Sequence, residues 1–232
     1  MGCTDCARKG GCSTRKGEER ELLAAVLPEI YPGRRWGEPD DGARFRRGIA
    51  EREGRRLGRR AAGALQAPTF FRSGGDDELC DYIYVLCVGR APALVELRDA
   101  DVFDLPDGDR IRERYLRVAL SAVARVAAVQ EVAFELDREG DLYAVRERPR
   151  DGVYDPILLG RTQRLIELLV ESDITYLDFG LLVKPPSRYA EGFTDSAEYE
   201  TRYGQPPGTV NYLFYPQPAT ALGTSYVPAR AA

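Results

Sequence analysis

Helix-like and strand-like segments alternate between residues 70 and 184 in the order β-α-β-β-α-β, which predicts an α+β body of the ferredoxin-like, split βαβ type. The sheet is foreshadowed by a strongly β-forming run at Tyr82–Val88 and by a hairpin pattern over 129–147. Helical spacing of apolar residues over 109–128 and 155–171 supplies two covering helices. A sheet with antiparallel neighbours and both helices on one face is the natural way to bury such an order.

Taken along the chain, residues 1–17 form a Gly-, Lys- and Cys-rich head without periodicity. Residues 18–69 form a helical, Arg-rich segment. Its first helix starts at Glu18, presents Leu22, Leu23, Val26 and Leu27, and ends at Pro28. A Pro/Gly-rich turn region follows, and Asp41 can cap a second helix over 43–65, interrupted by Gly48, Gly54 and Gly58. The α+β body spans 70–184, with strand Tyr82–Val88 followed by an extra edge strand at Leu94–Leu97.

Asp107 or Asp109 caps the helix 109–128, whose face is marked by Ile111, Tyr115, Val118, Ala122 and Val126. The hairpin pairs Val129–Leu136 with Leu142–Glu147. Asp155 and Pro156 then suit the N-cap and first helical position of a helix reaching about Glu171. Ile174–Val183 reads as the closing strand. An extended Pro/Tyr-rich tail, 185–232, carries one strand at Thr209–Tyr215, and its aromatics predict ordering along the body or a partner chain.

Composition narrows the chemistry. The 232 residues include no histidine, which removes the usual general base and the imidazole metal ligand. Net charge is −4, unevenly spread: Met1 to Arg72 carries 16 basic and 10 acidic residues, a net +6, so the remainder carries −10. No apolar run reaches the length of a membrane span. Met1–Lys16 is polar throughout, which predicts neither a secretory signal nor a lipoprotein leader, and points to a cytoplasmic location. There, clustered cysteines hold metal more often than they form disulfides.

The head carries the one chemically specific pattern, C-x2-C-x5-C, at Cys3, Cys6 and Cys12. A two-residue spacing turns two thiolates toward one ion or cluster, and Gly10-Gly11 lets the third sulfur come around. Arg8 and Lys9 would favour the thiolate form. A fourth ligand is needed. Cys80, at the start of a strand after a Gly-rich loop, suits it better than Cys87, which sits inside an apolar run; Asp5 or water is the fallback. Three local cysteines plus a remote one fit a [4Fe–4S]-type iron–sulfur cluster, with zinc as the alternative and a disordered terminus bearing reactive thiols as the reading without metal.

Other features have plainer readings. The run Arg44, Arg46, Arg47, Arg52, Arg55, Arg56, Arg59 and Arg60 can mark nucleic-acid binding, but a solvated helix face or an acidic protein partner fits the negative chain better. Acidic clusters at 76–78 and 99–109 read as solvated loops. No phosphate loop, dinucleotide fingerprint or nucleophile elbow is present, so the sequence predicts an accessory rather than a catalyst. The expected function is an iron–sulfur accessory or electron-transfer subunit with a protein partner. The alternatives are a zinc-binding interaction module and a nucleic-acid binder.

Overall fold

A computed structural model describes residues 4–40, 42–43, 47–74, 78–88, 110–139, 142–150, 153, 155–193, 196–215, 218 and 223–228. The expected edge strand at 94–97 lies outside these residues. Mixed α+β architecture is observed, built on a mostly antiparallel sheet.

The strands run β1 (Thr69–Arg72), β2 (Cys80–Val88), β3 (Arg110–Ser121), β4 (Val126–Glu139) and β5 (Leu142–Pro149), then the short β6 (Thr175–Tyr176) and β7 (Gly223–Pro228). Spatial order is β1-β2-β3-β4-β5-β7, each pair antiparallel. β6 alone pairs in parallel, against the start of β4 (Val126↔Thr175), on the half of β4 that β5 leaves uncovered. Consecutive strands that are neighbours in space make this a meander.

The meander departs from the expected β-α-β-β-α-β order because residues 110–121 are a strand and not the first half of a helix. The misleading pattern has a physical origin. β3 is buried on both faces: Tyr115 and Ala119 enter one core cluster, while Leu116, Val118 and Leu120 enter the other. A strand covered on two sides loses the polar/apolar alternation that would announce it, and its apolar residues then imitate a helical stripe.

Two layers cover the sheet. On one face lies α1 (Thr4–Ile30), with Leu23, Leu27 and Ile30 fully buried beside Tyr82, Tyr84 and Phe134. The helix extends beyond the expected span in both directions, and its backbone includes most of the cysteine head. Pro28 falls in the last turn, where Tyr31 N still bonds Leu27 O at 2.9 Å. The opposite face holds α2 (Glu51–Leu65), through Leu57 and Ala61, and α3 (Pro156–Val170), through Leu158, Leu165 and Leu169.

Ala43 is helical and its carbonyl accepts from Arg47 N at 3.1 Å, but residues 47–50 leave the helix and α2 starts at Glu51, because the chain just before it is held against the β3–β4 turn. Ile49 N donates to Ser121 O at 2.9 Å, and a Cβ on Gly48 would collide with the Ala122 carbonyl. Gly54 plays a similar part within the helix: its missing Cβ would stand 2.6 Å from Phe71 Cε2. These glycines are seats for close packing. α3 begins as predicted, with the Asp155 carbonyl accepting from Leu159 N at 3.0 Å.

The C-terminal third also differs from expectation. Of the expected strand 174–183, Thr175–Tyr176 pairs as a strand. Asp178 Oδ1 then accepts from Gly180 N at 2.7 Å and caps α4 (Phe179–Leu182). A 3-10 turn (Pro186–Arg188), α5 (Ala197–Tyr203) and α6 (Val210–Leu213) follow. The expected strand 209–215 is therefore helical at its centre. All its residues are buried, and a short wholly buried run does not reveal its backbone by pattern. This segment packs on the α1 side of the chain's own sheet: Tyr212, Leu213, Phe214 and Tyr215 belong to that core, and Tyr31 Oη donates to Tyr212 O at 2.7 Å.

Candidate metal centre and the buried polar network

The cysteines of the head meet the structure unevenly. Cys3 lies outside the described residues. Cys6 and Cys12 fall on the backbone of α1. Six residues along a helix advance about 9 Å and turn to positions about 120° apart, so a single ion shared by this pair requires the backbone to leave the helix between them. Gly10-Gly11 is where that departure costs least, since glycine is a poor helix former.

The two remaining thiols are separated by strand parity. Cys80, the first residue of β2, is 1 % exposed on the face that α1 covers. Cys87, half-buried, lies against the other core, where its Sγ donates to Val85 O at 3.4 Å. Only Cys80 shares a face with the helix that carries the head. Burial pushes the Cys80 thiol well above its ordinary value, outweighing the hydrogen bond with Tyr82 and the nearby Arg117. With no cation bound it is a neutral thiol; a metal or cluster would displace that proton and bind the thiolate. Among the described residues no three His, Cys, Asp or Glu side chains are grouped to hold an ion.

Beside Cys80 lies a polar network that the sequence reading overlooked. Arg117, on β3, is 6 % exposed, and Gln130, opposite it on β4, is fully buried. Arg117 Nε donates to Gln130 Oε1 at 2.9 Å, Nη2 reaches the same oxygen, and Nη1 pairs with Glu147 at the solvent side. Tyr215 Oη adds a third donor to Gln130 Oε1 at 2.7 Å, and Gln130 Nε2 donates to Arg150 O at 2.6 Å. The guanidinium carbon sits 5.4 Å from the Tyr82 ring centre and 5.2 Å from that of Tyr215, within cation–π range. Burial alone would weaken proton binding by Arg117, but Tyr215, Tyr84 and Glu147 reverse it, so the charge is firmly held.

The surrounding aromatics form a continuous wall. Phe70 stacks on Tyr84 at 4.8 Å, and Tyr115 meets Phe134 edge-on at 5.5 Å. Burial raises Tyr82, Tyr84 and Tyr215, which keeps these phenols protonated and able to donate. On the opposite face of β4, Glu131 is fully buried and answered by Arg114 at 3.4 Å and Arg150 at 3.5 Å. The one sequence signal for these sites was the polar pair Gln130-Glu131 inside an otherwise apolar run, which sends one polar group to each face.

In chemical terms the network fixes and neutralises. It holds one permanent cation among phenols and a carboxylate, and it contains a thiol in its unreactive form. It pins β2, β3, β4 and the Tyr215 segment together. The arginine run is partly consumed in the same way: Arg55 pairs with Glu51 at 2.5 Å and Arg60 with Glu171 at 2.6 Å. Among the described residues no helix is long and apolar enough to cross a membrane. Comparison of the chain with protein-family models, with curated proteins and with solved structures finds no match.

Proposed function

We propose that the chain is an accessory protein carrying an iron–sulfur cluster of the 4Fe–4S type on its N-terminal head, in the service of a larger redox assembly. The observation that carries this reading is the C-x2-C-x5-C spacing at Cys3, Cys6 and Cys12, with Gly10-Gly11 inside the longer gap. Most of the head lies on the N-terminal part of α1, whose other end is seated on the body by Leu23, Leu27 and Ile30. That arrangement suits a group presented to a partner. The cluster would supply the electron-transfer chemistry, and the chain would supply thiolates, neighbouring positive charge from Arg8 and Lys9, and position.

Cys80 is the fourth ligand of this proposal, since of the two body thiols it shares a face with α1, and Asp5 or water is the fallback. Anaerobic purification followed by iron and acid-labile sulfide analysis tests the proposal. Stoichiometric iron and sulfide, lost in Cys6→Ser and Cys12→Ser, is the expected result, and loss in Cys80→Ser as well separates Cys80 from the Asp5 or water fallback. A colourless protein without iron sinks the iron–sulfur reading; stoichiometric zinc in its place supports an interaction module without redox chemistry.

A further inference from the structure

Where α1 passes the segment after α4, the surface opens into a pocket of about 540 Å³ lined by Arg20, Lys184, Pro185, Arg188 and Tyr189. Its volume falls in the range of roughly 300–1,000 Å³ usual for small-molecule sites. Three cations face one cavity, and among the described residues none of the three forms an ion pair. Glu19 is the acidic neighbour and is buried, so one carboxylate stands against three exposed cations. Like charges brought together repel, and a polyanion relieves that repulsion while gaining from each of them.

The frame of the pocket is fixed by hydrogen bonds. The Lys184 carbonyl accepts from Thr209 N at 2.7 Å and from Thr209 Oγ1 at 2.8 Å. Tyr189 Oη donates to Leu181 O at 2.8 Å, so the polar end of that side chain is occupied and its ring is what remains for a ligand. Arg188 N and Tyr189 N bond back to Pro185 O and Pro186 O at 3.0 and 2.9 Å, which closes the 3-10 turn. Arg20, the buried Glu19 and Arg188 all act electrostatically on Tyr189, two cations against one carboxylate. Cations around an aromatic ring and a proline form a site with a charged rim and a flat apolar floor.

We infer that this pocket binds a small phosphorylated molecule bearing a planar ring, its phosphates held by Arg20, Lys184 and Arg188 and its ring laid on Tyr189 and Pro185. The site goes beyond the cysteine head, and neither depends on the other.

Calorimetric titration of the full chain with ATP, pyrophosphate and adenosine tests it. ATP and pyrophosphate should saturate one site at physiological salt, and adenosine should bind at least tenfold more weakly than ATP. Lys184→Ala and Arg188→Ala should each weaken pyrophosphate about tenfold, the loss expected for one charge-assisted contact. Tyr189→Leu should weaken ATP while leaving pyrophosphate unchanged. The exposed Arg59→Ala on α2 is the control for general charge and should change nothing. The inference is overturned if neither phosphate compound saturates, if Arg59→Ala costs as much as Arg188→Ala, or if adenosine binds as well as ATP. All three cations are exposed, so unchanged thermal unfolding of the variants separates lost binding from lost folding.

Discussion

Arg117 and Tyr215, 98 residues apart in the chain, donate to the same oxygen, Gln130 Oε1, while the guanidinium carbon lies 5.2 Å from the centre of the Tyr215 ring. This joins the middle of the sheet to the C-terminal segment through a single buried acceptor. Removal of one partner from a buried charged network leaves the others desolvated and unanswered, which costs more than the pair contributes when intact.

Arg117→Ala should therefore destabilise the fold by about 3–5 kcal/mol, the range for breaking a buried ion pair. Tyr215→Phe removes one donor from an acceptor that still has Arg117, and should cost about 1 kcal/mol. Urea denaturation followed by circular dichroism measures both. Losses of equal size in the two variants would show that the guanidinium is not the centre of the network.

What could be read from the chain depended on how many faces of each element are covered. The β4–β5 hairpin was legible because its outer turns keep turn residues and charge, and α3 because Asp155 and Pro156 mark its start. β3 was not legible, since Leu116 and Arg117 are both buried, on opposite faces, and no polar stripe remained to set the period. Arg117 lies outside the apolar set Ile111, Tyr115, Val118, Ala122 and Val126 that suggested a helix there. Its burial depends on Gln130 and Tyr215, partners set by tertiary structure. The same applies to Asn211, which points its Oδ1 at Gly208 N at 2.9 Å inside a run that reads as a strand. The cysteine spacing was legible as a pattern, but nothing local to Cys80 announced that α1 and the C-terminal segment would close over it.

Two glycines on or near α2 should respond in opposite directions to the same substitution. A Cβ at Gly48 meets the Ala122 backbone carbonyl, which sits in a tight turn tied by Ser121 Oγ to Val123 N and Ala124 N, both at 3.3 Å. Backbone cannot swing aside as a side chain can, so Gly48→Ala should cost about 2 kcal/mol or more by overpacking. Gly63 is an exposed helical residue with nothing within 4 Å of an added Cβ. Gly63→Ala should stabilise by about 0.5–1 kcal/mol through helix propensity. Thermal unfolding of the two variants beside the parent decides it: a neutral Gly48→Ala would contradict the close approach of residue 48 to the β3–β4 turn.

Alkaline pH should loosen the fold in two stages. Burial raises the Cys80 and Cys87 thiols, so the unfolded chain gives up these protons near an ordinary thiol value of about 8.5 while the folded chain keeps them. Where the unfolded state binds fewer protons, stability falls as pH rises. The contribution is intact below about pH 8.5 and declines above it, by about 1.4 kcal/mol per pH unit for each proton retained. From about pH 10 the buried phenols join, among them Tyr199, raised to about 12 by burial and the neighbouring Tyr203. Urea unfolding of the metal-free chain at intervals from pH 7 to pH 11 measures the slope. Cys80→Ala should remove about one proton's worth of it between pH 9 and 10, before the phenols contribute. An unchanged slope in that variant would mean that Cys80 ionises in the folded protein as readily as in the unfolded chain, and its place in the core beside Tyr82 would have to be wrong.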